Sequence, residues 1–373
     1  MSTKKEIIEV LRPVQDPELH RSIVDLDMVR AIEVTGEEVL LLIALTVAGC
    51  PMKEEITQRV TEAVLSLESI AAVKVDFTTM TDEERAQLRT KLGHAGAAHG
   101  NIRQSPFATG ASRSRVISVQ SGKGGVGKSS IAVNLAVALA AQGAVVGILD
   151  ADVYGFSVPR MIGVDHPPTV IDDSLILPPE AHGVRVVSMG FFVDEDRPVM
   201  WRGPMLHKAM EQFLVDVHWG DDLEFLVVDM PPGTGDINIS MAQFLPTAEI
   251  LVVTTPQSAA QTVAQRAGFM AEKVNQDVIG VIENMSWFEL ADGSRRMVFG
   301  EGGGAELAKA LEVPLLGQVP LDEALRIGSD IGEPVVVTDP ENPAARAILE
   351  IAGLLAEKKR RKIRRPELKI STV

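Results

Sequence analysis

The chain is poor in several features that define other classes of protein. Its 373 residues contain a single cysteine, Cys50, so no disulfide bond can form within the chain. No apolar run approaches the roughly 18 residues of a membrane helix, and no signal-peptide core follows the polar residues Met1 to Glu6. The 36 Lys and Arg residues are outnumbered by 51 Asp and Glu residues, and the resulting net charge of −15 opposes contact with nucleic-acid phosphates. We therefore expect a cytoplasmic globular protein without a transmembrane segment, and we do not expect a nucleic-acid or membrane-surface partner.

The length and composition of the chain suit two or three folded domains. Hydrophobic residues make up 46% of the chain and charged residues 23%, and a typical domain takes about 150 residues. Residues 1–80 mix short helix and strand patterns, which predicts a small α+β domain. Its predicted elements are a first helix to Leu11, strands at Ala31–Val34, Val39–Val47 and Ala72–Phe77, and a helix at Lys53–Leu67.

Residues 81–114 predict a connection between domains. A charged helical stretch, Asp82–Leu92, is followed by small residues and turn formers as far as Ser112, a composition typical of flexible linkers. His94 and His99 lie in this stretch without cysteine or carboxylate neighbours, which favours a plain linker over a metal site.

Residues 115–357 alternate short aliphatic strands with helices. This order predicts an α/β domain with a mostly parallel sheet and helices on both faces, in which ligands bind beyond the carboxyl ends of the strands. The predicted strands are Arg115–Gln120, Val145–Asp150, Val184–Met189, Phe225–Asp229, Ile250–Thr254, Val278–Glu283 and Leu315–Val319. The predicted helices include Ser129–Gln142, with Ile131, Leu135, Ala138 and Leu139 on one face, Pro204–Val217, Ala259–Val274 and Ala345–Ala356.

A glycine-rich loop with two lysines joins the first of these strands to its helix. Its glycines permit positive backbone torsions, so that successive N–H groups can point at phosphate oxygens at the positive end of the helix. Lys128 supplies a cation for the β and γ phosphates, and the Ser129 hydroxyl can hold Mg²⁺. The sequence runs Gly122-Lys123-Gly124-Gly125-Val126-Gly127-Lys128-Ser129, followed by Ser130 on the helix. A chance glycine-rich turn seldom falls between a strand and a helix, so we predict a nucleotide site.

Carboxylates follow two of the predicted strands. Asp150 and Asp152 come directly after one strand, and Asp229 ends another, before a turn that contains Gly233 and Gly235. Phosphoryl transfer depends on in-line positioning of water and on charge neutralisation. We predict that Asp229 holds Mg²⁺ through water and that Asp152 orients the attacking water. The alternative is that Asp150 and Asp152 cap the following turn or helix, and we favour that alternative for Asp150.

The motifs together resemble the Mrp/ApbC group of iron–sulfur cluster carrier ATPases. This group lies within the deviant phosphate-loop class that includes MinD, ParA, the nitrogenase iron protein and ArsA. The resemblance covers residues 115 to about 340, and residues 1–80 resemble the small SufT-like domain linked to iron–sulfur assembly. It rests on the loop above, Asp150-Ala-Asp-Val-Tyr-Gly155, Trp201-Arg-Gly-Pro204, Asp229-Met-Pro-Pro-Gly-Thr-Gly-Asp236, Glu283-Asn-Met-Ser286, Phe299-Gly-Glu-Gly-Gly-Gly304, Asp16-Pro-Glu18 and Thr46-Val-Ala-Gly-Cys-Pro51.

This resemblance implies a mechanism and a set of partners. In the class, the lysine at the position of Lys123 reaches across a two-fold interface to the ATP of the other subunit, which implies a homodimer that closes on ATP. Asn284 and Pro320 correspond to positions that contact adenine, which favours ATP over GTP. The resemblance further implies slow, Mg²⁺-dependent ATP hydrolysis and transfer of iron–sulfur clusters to apoprotein acceptors.

One departure concerns the cluster ligands. Members of the family usually carry a Cys-x-x-Cys pair between the Asn-Met-Ser and glycine-rich segments, whereas residues 287–299 here contain no cysteine. Glu289 and Asp292 in this segment are hard oxygen ligands, which favours a solvated loop over a cluster site. Cys50 is then the one thiol, either as a labile cluster ligand activated at a helix N-terminus or as a small buried hydrophobe.

Two functions remain open from the sequence alone. The leading one is an ATP-dependent iron–sulfur carrier or assembly factor, and the alternative is a MinD/ParA-type positioning or scaffold ATPase without a cluster.

The basic tail at residues 358–373, with Lys358 to Arg365, suits a surface-binding tail or a solvated helix end, and the solvated end is favoured.

Overall fold

The computed structural model divides the chain into two compact units, each of which is described separately. The first comprises residues 1–103, 167–179 and 216–221, and the second comprises residues 104–166, 180–215 and 222–373. The predicted boundaries at residues 80, 114 and 357 stay predictions. The structure describes residues 4–17, 19–46, 52–67, 69–92, 105–108, 112–153, 155–171, 175–192, 203–233, 236–257, 276–290 and 292–357. Cys50, His94, His99, the predicted helix 259–274 and the basic tail lie outside these residues.

The first unit is built on a three-stranded sheet in the order β1-β2-β3. Strands β1 and β2 are antiparallel across the Gly36 turn, and β3 returns parallel to β2 after a crossover helix. Its elements are α1 Lys4–Leu11, β1 Val29–Thr35, β2 Glu38–Leu45, α2 Lys53–Leu65, β3 Ala72–Thr79 and α3 Asp82–Lys91, with a small hairpin of β6 Thr169–Ile171 and β7 Leu175–Leu177. These helices and strands agree with the α+β pattern predicted for residues 1–80.

Helical spacing explains how this unit forms its core. Ile56, Val60 and Val64 lie four residues apart on α2, so they share one face, and all three are buried. They join Leu41 and Ile43 of β2 in one apolar cluster that also includes residues of the β6–β7 hairpin. The hairpin is therefore part of the same core as the first strands of the chain.

The second unit contains an eight-stranded sheet among its described residues. The strand order is β15-β12-β11-β4-β10-β5-β9-β8, and every neighbouring pair is parallel except β8 with β9. The strands are β4 Arg115–Ser121, β5 Val146–Asp150, β8 Glu180–Ala181, β9 Val184–Ser188, β10 Phe225–Asp229, β11 Glu249–Thr254, β12 Asp277–Asn284 and β15 Leu315–Val319. The mostly parallel α/β fold predicted from the sequence is confirmed.

Helices and one further hairpin complete the second unit. The helices are α4 Lys128–Ala141, α5 Val158–Ile162, α6 Gly203–Val215, α7 Asp236–Phe244, α8 Gly303–Ala310, α9 Glu323–Ile331, α10 Val335–Thr338 and α11 Pro343–Glu357, with a 3₁₀ turn at Met189–Phe192 and a hairpin of β13 Phe288–Glu289 and β14 Arg295–Arg296. No helix in the described ranges is long and apolar enough to cross a membrane.

Helix α4 is the central helix of this unit. The predicted apolar face, with Ile131, Leu135, Ala138 and Leu139, is buried as expected. The intervening residues of α4 are buried as well, because α10 and α11 pack against the helix in addition to the sheet. The helix that follows the glycine-rich loop is therefore held on all sides, and this fixes the position of its N-terminus.

Candidate nucleotide-binding site

The glycine-rich loop spans the gap between β4 and α4. Gly125 and Gly127 both adopt φ of +79°, the left-handed region that the sequence predicted for the loop. The Ser121 hydroxyl donates to the carbonyl oxygen of Lys123 at 3.0 Å and fixes the start of the loop. Gly127 precedes the first turn of α4 without a side-chain cap, so the first N–H groups of this 14-residue helix are available to an anion.

A buried ion pair lies directly under this loop. The ammonium group of Lys128 contacts the Oδ1 atom of Asp229 at the end of β10, and both side chains are almost fully buried. Lys128 also donates to the Ser129 hydroxyl at 3.2 Å. Burial raises the pKa of Asp229, and the neighbouring charge of Lys128 opposes that rise. The Oδ2 atom of Asp229 is buried without a hydrogen-bond partner among the described residues.

Asp150 organises the chain after β5. Its Oδ2 atom accepts hydrogen bonds from the backbone N–H groups of Ser157 and Val158, at the start of α5, and from the Ser188 hydroxyl, at 3.0 to 3.2 Å. Its Oδ1 atom accepts from the N–H of Asp152 at 3.1 Å. Burial, followed by repulsion from Asp229, raises the pKa of Asp150 to about 7. These contacts agree with the capping role that we favoured for Asp150.

Asp152 lies two residues further along the same loop and is half-buried. Its Oδ1 atom accepts a hydrogen bond from the N–H of Gly155 at 3.1 Å. Strands β5 and β10 are parallel neighbours with Asp150 opposite Asp229, so both carboxylate strands end at one edge of the sheet. The negative charge of Asp152 is among the causes that raise the pKa of Asp229. The structure therefore brings the three predicted aspartates together.

The turn after β10 is tied to the glycine-rich loop. Gly233 has φ of +88°, and its N–H donates to the carbonyl oxygen of Ser121 at 3.0 Å. The side-chain amide of Asn238 in turn donates to the carbonyl oxygen of Gly233 at 3.0 Å. The loops that follow β4 and β10 thus support each other where they leave the sheet.

Asn284 braces the glycine-rich loop from the far side, a role that sequence reasoning missed. The residue is 2% exposed, and its Nδ2 atom donates to the carbonyl oxygen of Val126 at 2.9 Å. A Cβ atom at Gly127 would collide with this amide, which explains the glycine independently of its torsion. The Oδ1 atom of Asn284 is buried and has no partner within the described part of the chain. Pro320, which follows β15, is also buried, and adenine contact by either residue stays a prediction.

Glu283 is a further buried carboxylate, and sequence reasoning missed its role. Its Oε1 atom accepts from the Gln318 side chain at 2.6 Å, and its Oε2 atom accepts from the N–H of Gly304 at the start of α8. Glu283 and Gly304 belong to two motifs that are visible in the sequence, Glu283-Asn-Met-Ser286 and Phe299-Gly-Glu-Gly-Gly-Gly304. The signal was therefore present, but a sequence does not state which two motifs are in contact.

Lys123 and the segment without cysteine differ in exposure. Lys123 is half-buried, and its Nζ atom donates to the Oε1 atom of Gln257 at 3.1 Å. Glu289 and Asp292 are exposed on the β13–β14 hairpin, where hydrogen bonds from Ser294 lower the pKa of Asp292. The described residues contain no group of three His, Cys, Asp or Glu side chains that could hold a metal. The exposure of Glu289 and Asp292 agrees with the predicted solvated loop.

Comparisons with known proteins cover both parts of the chain. Residues 112–356 match the family described as NUBPL iron-transfer P-loop NTPase, and residues 4–77 match the family described as iron-sulfur cluster assembly protein. A Mycobacterium leprae protein named iron-sulfur cluster carrier protein is 50% identical over 367 residues, which covers 96% of this chain and 94% of the relative.

Solved structures agree with this assignment. A nucleotide-binding protein from Archaeoglobus fulgidus, in complex with ADP, is 35% identical with a TM-score of 0.53 and covers 61% of this chain and 89% of its own. The MinD cell division ATPase of Pyrococcus furiosus is 26% identical with a TM-score of 0.50, and covers 65% of this chain and 98% of its own. The resemblance inferred from the motifs is confirmed, and the chain belongs to the iron–sulfur cluster carrier family of P-loop NTPases.

Proposed function

We propose that this protein is an ATP-hydrolysing dimeric switch that carries iron–sulfur clusters to apoproteins. The observation that carries the ATPase part is the buried Lys128–Asp229 pair under an uncapped helix N-terminus and a glycine-rich loop. Membership of a carrier family supports the cargo, because the full-length relatives bear that name. The P-loop NTPase match supports hydrolysis of a nucleotide.

The phosphates of ATP are expected to occupy the loop at residues 122–130. Backbone N–H groups from Gly122 to Ser130 would bind phosphate oxygens, and Lys128 would neutralise the charge that develops between the β and γ phosphates. Lys128 is now paired with Asp229, so ATP would compete with that carboxylate for the ammonium group. The carboxylate would then need another cationic partner.

The residues around this pair fit Mg²⁺. The Oδ2 atom of Asp229 is buried without a hydrogen-bond partner among the described residues, and the Lys128 ammonium that contacts this carboxylate also donates to the Ser129 hydroxyl. Mg²⁺ prefers hard oxygen ligands of these kinds. Ser129 would hold the ion directly and Asp229 through water. The ion would neutralise charge on the transferred phosphoryl group. Slow, Mg²⁺-dependent hydrolysis is part of this proposal.

Asp152 is the residue that we expect to orient the attacking water. It follows the strand that pairs with the Asp229 strand, and the Gly155 N–H donates to its Oδ1 atom, so the carboxylate is held at the sheet edge where its charge acts on Asp229. The adenine base would meet Asn284 and Pro320. The buried Oδ1 atom of Asn284 is an acceptor suited to the exocyclic amine of adenine, which supports ATP over GTP.

Lys123 would act in the neighbouring subunit of a homodimer. The family resemblance supports this role, because the lysine at this position in the class reaches the ATP of the other subunit. A cation supplied in trans stabilises transition-state charge by about 10³- to 10⁵-fold where arginine does so. ATP occupancy and dimer closure would then be one event.

The cargo site rests on Cys50. It is the single thiol of the chain and lies outside the described residues. A dimer would supply two thiolates, and outside ligands would complete the cluster, which would make it labile and easily passed to an acceptor. Glu289 and Asp292 are exposed oxygen donors and do not suit this role.

The variant Lys123→Ala tests the switch. We expect it to lose ATP-dependent dimer closure and ATP hydrolysis while the monomer stays folded, with Lys309→Ala on an exposed position of α8 as the matched loss of one positive charge. ATPase rate, sedimentation with ATP and circular dichroism are the measurements. Full ATPase activity of Lys123→Ala with an unchanged spectrum would refute the trans role. Anaerobic reconstitution, with iron and sulfide assayed on wild type and Cys50→Ser, tests the cargo.

A further inference from the structure

The side chain of Lys123 is already engaged within its own subunit. Its Nζ atom lies 3.1 Å from the Oε1 atom of Gln257, which follows β11. Lys123 and Gln257 are both half-buried, so the contact is partly shielded from water. The lysine therefore points along its own sheet edge, toward the loop after the neighbouring strand.

The sheet itself creates this contact. Strands β4 and β11 are parallel neighbours with Ser121 opposite Val253, so the two chains leave the sheet at the same edge. Lys123 comes two residues after Ser121, and Gln257 comes four residues after Val253. The Ser121 hydroxyl holds the carbonyl oxygen of Lys123, which fixes the backbone from which the lysine side chain extends. The pairing of β4 with β11 therefore brings Gln257 within reach of Lys123.

We propose that Gln257 is a positioning residue that holds Lys123 in cis and releases it when two subunits close on ATP. This inference rests on the proposed function, because it assumes that Lys123 acts in trans. An ammonium group has three donors but occupies one position, so to reach a phosphate held in the other subunit the Lys123 side chain would have to move away from the Oε1 atom of Gln257. Closure must therefore break or weaken the Lys123–Gln257 hydrogen bond.

The chemistry of the amide suits a contact that must be broken. The Oε1 atom of glutamine accepts a hydrogen bond from an ammonium but carries no net charge, so the contact is weaker than a carboxylate pair. Phosphate oxygens are anionic and offer the ammonium a stronger charge-assisted partner. The exchange runs from the neutral acceptor to the charged one, and it becomes favourable only when nucleotide is present in the opposing subunit.

The size of the effect follows from the number of contacts. A partly exposed hydrogen bond of this kind shifts an equilibrium by about 3- to 10-fold. A symmetric dimer releases two such lysines, so the two factors multiply to about 10- to 100-fold in the dimer dissociation constant. Loss of the contact should tighten the nucleotide-bound dimer by that factor, whereas replacement of the amide by a carboxylate should weaken it.

Two variants of the full chain test this proposal. Gln257→Leu removes the acceptor, and Gln257→Glu converts it into an anion, with Gln87→Glu on an exposed position of α3 as the matched gain of one negative charge. Sedimentation is measured over a range of protein concentrations with Mg²⁺ and AMP-PNP. We expect Gln257→Leu to dimerise at about 10- to 100-fold lower concentration than wild type. We expect Gln257→Glu to dimerise at higher concentration, with a difference that shrinks as salt rises.

A measurement on the nucleotide-free monomer tests the contact by itself. The rate at which an amine-reactive reagent modifies Lys123, followed by mass spectrometry, should rise in Gln257→Leu because the ammonium loses its partner. An unchanged modification rate would show that the contact is absent in solution and would overturn the proposal. Equal dimerisation of wild type and both Gln257 variants would overturn it as well and would leave the proposed function intact. If wild type forms no nucleotide-dependent dimer, the proposed function itself fails.

Discussion

The glycine-rich loop and the β13–β14 hairpin belong to the same unit but differ in how their residues are held. Around the loop, Lys128, Asp229 and Asn284 are buried and joined by hydrogen bonds or an ion pair. On the hairpin, Phe288, Leu290, Met297 and Val298 are large apolar side chains that are 39% to 50% exposed. The family's usual cysteine pair falls in this second region, and the chain has none there.

This difference distinguishes the nucleotide site from the region where the family usually binds its cluster. A nucleotide site needs fixed dipoles and charges, and the buried contacts around the loop supply them before ligand arrives. On the hairpin the described polar contacts are local, such as those of Ser294 with Asp292, and the described residues include no group of three His, Cys, Asp or Glu side chains that could hold a metal. The nucleotide chemistry of the family is therefore expected to be retained, whereas cluster binding must depend on a thiol elsewhere in the chain.

The largest expected effect comes from breaking the buried ion pair. Lys128→Met should abolish ATP hydrolysis and should also destabilise the fold by about 3 to 5 kcal/mol, because it leaves the Asp229 carboxylate buried without its cation. Lys128→Met/Asp229→Leu removes both charges and should recover much of that stability without recovering activity. Urea denaturation and ATPase assays on the two variants measure this. Equal stability of the single and the double variant would contradict the account.

The next largest effect is on the rate of ATP hydrolysis and not on ATP binding. Asp152→Asn should lower the ATP hydrolysis rate by about 100-fold while ATP still binds, since misplacement of a reacting group costs about that much. Asparagine keeps an oxygen for the Gly155 N–H, so the loop should stay in place. Single-turnover hydrolysis and equilibrium ATP binding are compared with those of Asp165→Asn, an exposed acid. Parallel loss of binding and rate would assign Asp152 a structural role instead.

A pair of glycine substitutions compares the two regions directly. Gly127 and Gly293 have φ of +79° and +80°, so alanine at either carries a torsional cost of about 1 to 2 kcal/mol. At Gly127 the new Cβ also meets the Asn284 amide, which adds about 1 to 3 kcal/mol, whereas nothing lies within 4 Å at Gly293. Gly127→Ala should therefore lose more stability in denaturant titrations, and Asn284→Ala in the same chain should recover part of it. Equal losses at both glycines would show that the loop is not braced.

The last effect concerns pH and is small over any single pH unit. Asp150 has its pKa raised to about 7 in the folded protein from an ordinary value of 3.8, so between these values the folded state binds more protons than the unfolded state. Its contribution to stability is complete below about pH 4 and is lost as pH rises through about 7, with a slope of at most about 1.4 kcal/mol per pH unit. Denaturation without Mg²⁺ across this range should give a flatter profile for Asp150→Asn. An identical slope in both proteins would place the titration on other groups.

The sequence predicted the parts of this molecule that depend on local pattern. The strands around Asp150 and Asp229, the loop before Lys128 and the helix after it follow from aliphatic runs and glycine spacing, and the structure has them within a few residues. Parallel pairing then placed the carboxylates at one sheet edge, as expected.

Contacts between distant segments could not be predicted in the same way. The Asn284 contact with Val126 spans 158 residues, and nothing in either segment names the other. The same holds for Glu283 with Gly304 and for the β6–β7 hairpin, whose short strands do not indicate which core they join. Hydrophobic periodicity predicts which residues are buried, but it does not predict which other segment they pack against.

The most direct test of the central claim is cluster transfer by the full chain. The protein is reconstituted anaerobically with iron and sulfide, and the cluster passed to an apo-ferredoxin is followed with and without ATP. We predict that wild type holds a cluster and that ATP changes its transfer rate, whereas Cys50→Ser holds none and Asp152→Asn holds one without responding normally to ATP. Equal iron and sulfide on wild type and Cys50→Ser, or none on either, would contradict a carrier that depends on its single thiol.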